Sequence, residues 1–215
     1  RKLFKFALWF FLLGALITWL NREPIYTPTA LMSPRSNSFF PNLISHKSIL
    51  SGQFPGNTKP ALEESLNSAI QGIEVDVRQS KDGVLFLYHA DTLEESTNGQ
   101  GKPEDYTFDE LSKLSYKDNP KHKILSLEEV FRLVGSKKTM FLDIKSDRIY
   151  DTAFAQKLSI LIRQFNLRES VILESFNPIF LCIMRWIDRD ILLMYDFTTD
   201  KTAQGEEIQS QFDRI

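Results

Sequence analysis

Cysteine is nearly missing from this 215-residue sequence, in which Cys182 stands alone. A single cysteine excludes an intrachain disulfide and any multi-cysteine metal centre. It falls in an apolar stretch and reads as a buried structural thiol. Net charge is nearly missing too, at −2, so nothing marks a nucleic-acid-binding surface. No glycine-rich turn comes after the first strand pattern, which argues against an open, doubly wound nucleotide-binding sheet. No internal repeat is evident. The rest is ordinary for a folded protein: 42% hydrophobic and 25% charged residues, a balance that argues against disorder.

The first twenty residues, RKLFKFALWFFLLGALITWL, are apolar from Phe6 to Leu20 apart from Thr18, with Arg1, Lys2 and Lys5 ahead of the run. The length approaches the ~20 residues that span a bilayer as a helix. The basic residues would keep the N-terminus cytoplasmic and export the remainder of the chain. Residues 16–24 hold no small-x-small cleavage site, so 1–20 reads as an uncleaved signal anchor, with a cleaved signal peptide as the alternative. Residues 21–41 carry Pro24, Pro28, Pro34 and Pro41 among Thr, Ser and Asn without sustained periodicity, and read as a linker. The folded domain is expected over 42–215.

Its central stretch is 72–93, GIEVDVRQSKDGVLFLYHADTL. Ile73, Val75 and Val77 alternate with Glu74, Asp76 and Arg78, the period-2 pattern of a strand with unlike faces. Lys81-Asp82-Gly83 signals a turn. Residues 84–88 form a short apolar run, and His89 stands at its exit with Asp91 just after. Two carboxylates on one strand face repel each other. A hard cation between them makes the pair favourable, since oxygen ligands suit Mg²⁺ or Ca²⁺. A solvated edge-strand face is the plainer alternative.

Elsewhere the pattern alternates. Leu43-Ile44-Ser45 reads as a strand leading to His46-Lys47. Asn57 or Thr58 caps a helix with Pro60 in its first turn and Leu62, Leu66, Ala69 and Ile70 as its stripe. Asn98-Gly99-Gln100-Gly101 lies in a loop. Thr107-x-x-Glu110 and Ser126-x-x-Glu129 are capping boxes. Residues 140–145, 171–176 and 191–197 read as strands, with helices over 154–165 and from Asn177-Pro178 to about 187. Alternating β and α elements imply a parallel sheet or barrel. Polar residues end several strands, and βα barrels build their sites at that end. His122 reads as a solvated loop histidine. Arg78 either touches phosphate or pairs with Glu74 or Asp76. Asp91 either orients His89 or begins a turn.

The ordered set His46-Lys47, Asn57-Thr58, Glu74-Val75-Asp76, Lys81-Asp82-Gly83, His89-Ala90-Asp91-Thr92-Leu93, Asn98-Gly99, Asp143-Ile144-Lys145 and Ser175-Phe176-Asn177-Pro178 resembles the glycerophosphodiester phosphodiesterase family, over roughly residues 43–200. The resemblance implies an α/β fold of (βα)₈ TIM-barrel type. It implies metal-dependent hydrolysis of a glycerophosphodiester, or a lysophospholipid near the membrane, to glycerol 3-phosphate or its acylated counterpart and an alcohol. It assigns His46 and His89 as the catalytic pair, with His46 as base and His89 as acid or the reverse. Glu74, Asp76 and Asp143 become ligands of Mg²⁺ or Ca²⁺, and Lys47 and Lys145 phosphate contacts. Together with the anchor it places the catalytic domain on the extracytoplasmic side of a membrane.

Three positions depart from the family pattern: Lys47 replaces arginine, Gly56 replaces glutamate and Asp143 replaces glutamate. Lysine lacks the planar fork that grips phosphate oxygens. These changes imply altered preference or reduced activity, and they leave a barrel that only binds phosphodiester headgroups or a partner as the alternative function. Six strand candidates precede residue 198 where a family barrel has about eight. The last strands are therefore expected to be missing from this chain, which reads as a fragment or truncated product.

Overall fold

The structure is a computed structural model that describes residues 41–146 and 148–196. Six strands form one sheet: β1 Ile44–Ser45, β2 Gly72–Gln79, β3 Leu85–Leu87, β4 Thr139–Ile144, β5 Val171–Ser175 and β6 Leu192–Tyr195. The helices are α1 Lys59–Leu66, α2 Leu93–Ser96, α3 Phe108–Lys113, α4 Leu127–Val134, α5 Thr152–Gln164 and α6 Pro178–Ile187. The strand order is β1-β2-β4-β5-β6, all parallel, with β3 pairing β2 antiparallel off that path. Strands that succeed one another around a sheet in chain order, without a reversal, form the wall of a βα barrel rather than a doubly wound sheet.

The alternation in β2 decides how the wall is built. Ile73, Val75 and Val77, with Met140, Leu142 and Ile144 of β4 and Val171 and Leu173 of β5, are buried in one cluster. The helices cover this outer face with Leu62 of α1, Val130 and Phe131 of α4, Phe154, Leu158 and Ile162 of α5, and Phe180 and Met184 of α6. Phe154 and Phe180 meet edge to face, centroids 5.5 Å apart. The hydrophobic core thus lies between sheet and helices, which leaves the opposite face to the charged residues. The plainer reading of Glu74, Asp76 and Arg78 as a solvated edge fails, because β2 lies between β1 and β4 and all three residues are buried.

The turn at Lys81-Asp82-Gly83 forms as expected, with Gly83 at φ 81° and its N–H donating to the Ser80 carbonyl at 2.9 Å. Leu85 and Leu87 of β3 face the main core, while Phe86 turns into a second cluster with Tyr88, Leu93, Leu111, Tyr116 and Ile124. The excursion between β3 and α4 therefore carries a small core of its own. Both expected capping boxes are present, Glu110 N–H to Thr107 at α3 and Glu129 N–H to Ser126 at α4.

Several expectations change. The six strand candidates all exist, but β3 hangs off the wall, so the described part of the barrel has five strands. Helix α1 stops at Leu66; the Ser68 hydroxyl and N–H both bind the Ser65 carbonyl, so Ala69 and Ile70 lie in the turn beyond it. The stretch after His89 is not all loop, because Glu95 accepts the Thr92 N–H at 3.1 Å and opens α2. Cys182 is exposed, since α6 buries Phe180, Leu181 and Met184 on its other side. His122 is buried, with the Phe54 ring edge-on at 6.1 Å. The expected membrane helix and most of the linker lie outside the described residues. Among the described residues no helix is long and apolar enough to cross a membrane.

Phe180 is fully buried against Phe154. Phe180→Ala should cost roughly 3–5 kcal/mol, read as an earlier midpoint in denaturant titration; a midpoint unchanged from the parent would contradict this packing.

Candidate active site

Parallel pairing lines up the inward residues of three neighbouring strands in layers. Glu74 of β2 pairs with Phe141 of β4, which pairs with Ile172 of β5. One step further along, Asp76 pairs with Asp143 and Asp143 with Glu174. Phe141 and Ile172 are buried beside Glu74 and form an apolar floor. A row of three carboxylates lies above it, toward the C-terminal ends of the strands, and all four acidic residues are buried.

Their hydrogen bonds leave a consistent remainder. Glu74 Oε2 accepts the Lys47 N–H at 2.5 Å. Asp76 Oδ2 accepts from Asn57 Nδ2 at 2.7 Å, and the Asp76 N–H donates to Asn57 Oδ1 at 3.1 Å. Asp143 Oδ2 accepts from Lys145 Nζ. The second oxygen of each residue, Glu74 Oε1, Asp76 Oδ1 and Asp143 Oδ1, is buried without a hydrogen bond among the described residues. Among the described residues Asp76 Oδ1 is met by the Lys145 ammonium, at 3.3 Å in an ion pair. Buried acceptors are normally satisfied, so three unsatisfied oxygens on three neighbouring carboxylates fit a cation. The donors are all oxygen, which suits Mg²⁺ or Ca²⁺. One oxygen each from Glu74, Asp143 and Glu174 also lie within 4.8 Å of one another.

The loop after β1 bends to serve this cluster. Lys47 adopts φ 53° and Asn57 φ 60°, and the Asn57 N–H donates to the Lys47 carbonyl at 2.9 Å. A Cβ on Gly56 would lie 2.8 Å from Lys47 Cβ. Glycine is thus required where the two backbone segments cross.

His46 is exposed, with Nε2 3.8 Å from Glu74 Oε2. His89 is exposed at the exit of β3, just beyond the Tyr88 N–H that donates to the Asp76 carbonyl at 3.2 Å. Lys47 and His89 line a cavity of about 220 Å³ together with Asn57, Tyr88 and Tyr116. Lys145 borders a larger cleft of about 860 Å³ with Ser80, Glu104 and Arg148. The seven residues expected at the site are thus carried by β2 and β4 or by the segments that leave β1, β3 and β4, with Glu74 one layer below Asp76 and Asp143. Arg78 pairs with neither Glu74 nor Asp76 among the described residues. Its guanidinium binds the Tyr88 and His89 carbonyls at 3.1 and 3.0 Å, and also Asp91 and Glu104. It fixes the backbone that carries His89, and Asp91 serves Arg78 rather than the histidine.

Burial and the neighbouring Asp76 and Asp143 push Glu74 up to about 8, against the Lys47 N–H. Burial, then Asp196, Glu74 and Asp143, push Glu174 to about 8 as well. Burial also raises Asp143 despite Lys145. Burial disfavours the Lys145 ammonium, but the Asp143 and Asp76 carboxylates outweigh it and raise its pKa. Burial lowers His89, as do Lys47, Lys145 and His46, with Asp76 opposing.

Two residues join the site that the sequence pattern does not assign. Asn57, one of the two residues expected to cap α1, leaves that position to Thr58 and clamps Asp76 from both sides instead. Glu174 is overshadowed by Ser175, although Met-Phe-Leu-Asp in β4 and Val-Ile-Leu-Glu in β5 share one pattern: three apolar residues and then an acid.

Without a divalent cation, folded Glu74 and Glu174 keep protons up to about pH 8 that the unfolded chain releases near 4.5. That stabilisation is fully present below the unfolded value and is lost as pH rises through the folded one. In thermal scans, chelated protein should melt lower at about pH 8 than at about pH 6, and Mg²⁺ or Ca²⁺ should recover the difference. A melting temperature that climbs across this interval in chelator would contradict the burial of these acids.

Residues 50–210 match the model of the glycerophosphoryl diester phosphodiesterase family. A glycerophosphodiester phosphodiesterase of Caldanaerobacter subterraneus subsp. tengcongensis is 36% identical over 129 residues, 57% of this chain and 53% of the relative. Human glycerophosphodiester phosphodiesterase 1 is 28% identical over 190 residues, 84% of this chain and 56% of the relative. The chain spans about half the length of the curated relatives it matches. Two solved structures share the fold, each with a TM-score of 0.68. One is a protein of Galdieria sulphuraria at 23% identity, covering 81% of this chain and 72% of that one. The other is an Oleispira antarctica phosphodiesterase in complex with sn-glycerol-3-phosphate, at 24% identity and covering 82% and 73%. With the family model matched across most of the described residues, the chain belongs to the glycerophosphoryl diester phosphodiesterase family.

Proposed function

We propose that the protein hydrolyses glycerophosphodiesters to glycerol 3-phosphate and an alcohol, with a divalent cation and two histidines. The observation that carries this reading is the set of three buried carboxylates, each with an oxygen lacking a hydrogen bond, beside His46 and His89. Glu74, Asp76 and Asp143 would hold the cation. When bound, it offsets the charge of the phosphodiester and polarises its phosphorus–oxygen bonds. Lys145, bound to Asp143 and paired with Asp76, and Lys47, whose N–H binds Glu74, would receive the phosphate oxygens.

The histidines divide the proton work. His89 has a lowered pKa, so its neutral imidazole prevails near neutral pH and suits the base that takes the proton of the hydroxyl attacking phosphorus. His46, with Nε2 3.8 Å from Glu74 Oε2, is the second histidine beside the carboxylates and takes the remaining role, the acid that protonates the leaving alkoxide. Of the two divisions that the family resemblance leaves open, this is the one with His89 as base. Arg78, by holding the carbonyl of His89, fixes the base without touching substrate. The apolar run 6–20 supports a membrane tether with the domain on the extracytoplasmic side, which would make lysophospholipids a second substrate class.

Glycerol 3-phosphate release from glycerophosphocholine should depend on Mg²⁺ or Ca²⁺, stop in chelator, and fall roughly 10²–10⁴-fold in His89→Ala. Release that persists in chelator would refute the metal role. No release by the parent protein with cation bound would favour the barrel that only binds headgroups.

A further inference from the structure

We infer that Glu174 is itself a ligand of the divalent cation, so that the ion is held across three strands, β2, β4 and β5. This rests on the metal-dependent function proposed for the site and adds to it a residue that the sequence pattern does not assign.

Four of the six carboxylate oxygens of Glu74, Asp76 and Asp143 are already engaged. Lys145 occupies Asp143 Oδ2 and faces Asp76 Oδ1 at 3.3 Å. Asn57 occupies Asp76 Oδ2. The Lys47 N–H occupies Glu74 Oε2. Asp76 thus has a hydrogen bond on one oxygen and an ammonium on the other. Glu74 Oε1 and Asp143 Oδ1 are buried and unpartnered among the described residues. The carboxylate that approaches these two residues is Glu174: one oxygen from each of the three falls within 4.8 Å of the others.

Among the described residues no hydrogen bond or ion pair holds the Glu174 side chain. It is buried, and its strand neighbours Ile172 and Leu173 are apolar. The register sets it directly beside Asp143, a like charge in a site already rich in carboxylates. Removing a buried acid of that kind should relieve repulsion, whereas removing a structural one should destabilise. Its length also matters. The Asp143 side chain is short and its Oδ2 is tied to Lys145, which leaves it one oxygen for the ion, so the longer Glu174 side chain can supply a further contact.

Mn²⁺ serves as the probe, with affinity measured by calorimetry on the full chain for the parent, Glu174→Gln and Glu74→Gln. Losing one carboxylate ligand should weaken Mn²⁺ binding on the order of ten- to a hundredfold in Glu174→Gln. Its melting temperature in chelator should equal or exceed the parent's, and its gain on adding Mn²⁺ should shrink. Glu174→Ala, measured in parallel, gives the same comparison if the amide does not fold. Parent-like affinity in a folded Glu174 variant, with binding lost in Glu74→Gln, would overturn the assignment of Glu174 and leave the metal reading intact. A parent that binds no Mn²⁺ would overturn both.

Discussion

Mutual repulsion among buried carboxylates is the constraint on which this structure turns. At an effective dielectric of about 20, two carboxylates roughly four to five ångströms apart repel by roughly 3–4 kcal/mol. That exceeds the worth of most surface ion pairs. Lys145 is the ammonium that meets this cluster, bound to Asp143 and paired with Asp76. The remaining repulsion has two outlets. Glu74 and Glu174 can stay protonated, as their elevated pKa values indicate, or a divalent cation can bind. The proposed reaction takes the second outlet. The cluster is therefore costly for the empty fold and productive once loaded, the expected sign for a site that stores its demand for a ligand in its geometry.

The two faces of the sheet make this tolerable. Outward residues of β2, β4 and β5 pack on helices in a continuous apolar cluster, which fixes strand register. A slip of one residue would exchange Val75 for Asp76 and bury a carboxylate among Leu62 and Phe131, so burial on one face enforces the order of charges on the other. The excursion after β3 adds a second small core. Arg78 joins this excursion to the wall by binding the Tyr88 and His89 carbonyls, which links the stability of the excursion to the position of the histidine proposed as base.

Much of this was legible in the sequence because it rests on short periods. The alternation in 73–78 gives the unlike faces of β2, and the two capping boxes mark the starts of α3 and α4. Less legible was whatever depends on pairing. That β3 hangs off the wall is a consequence of its antiparallel partner, not of its own composition. Helix α2 is too short to show a helical period. His122 is buried by Phe54, far away in sequence. Glu174 became visible as a site residue only when register placed it beside Asp143, although a shared apolar-apolar-apolar-acid pattern was there to be read. The roles of Arg78 and Asp91 depended on Glu104 and on two carbonyls, partners that no local pattern announces.

The most direct test of a cation held by these strands is anomalous diffraction from crystals of the full chain grown with Mn²⁺. One strong peak is expected among the carboxylates of Glu74, Asp76, Asp143 and Glu174, roughly 2.0–2.6 Å from the oxygens that hold the ion, with Glu174 among them. Crystals with Mn²⁺ present but no density among these carboxylates, or with density only elsewhere on the surface, would contradict it.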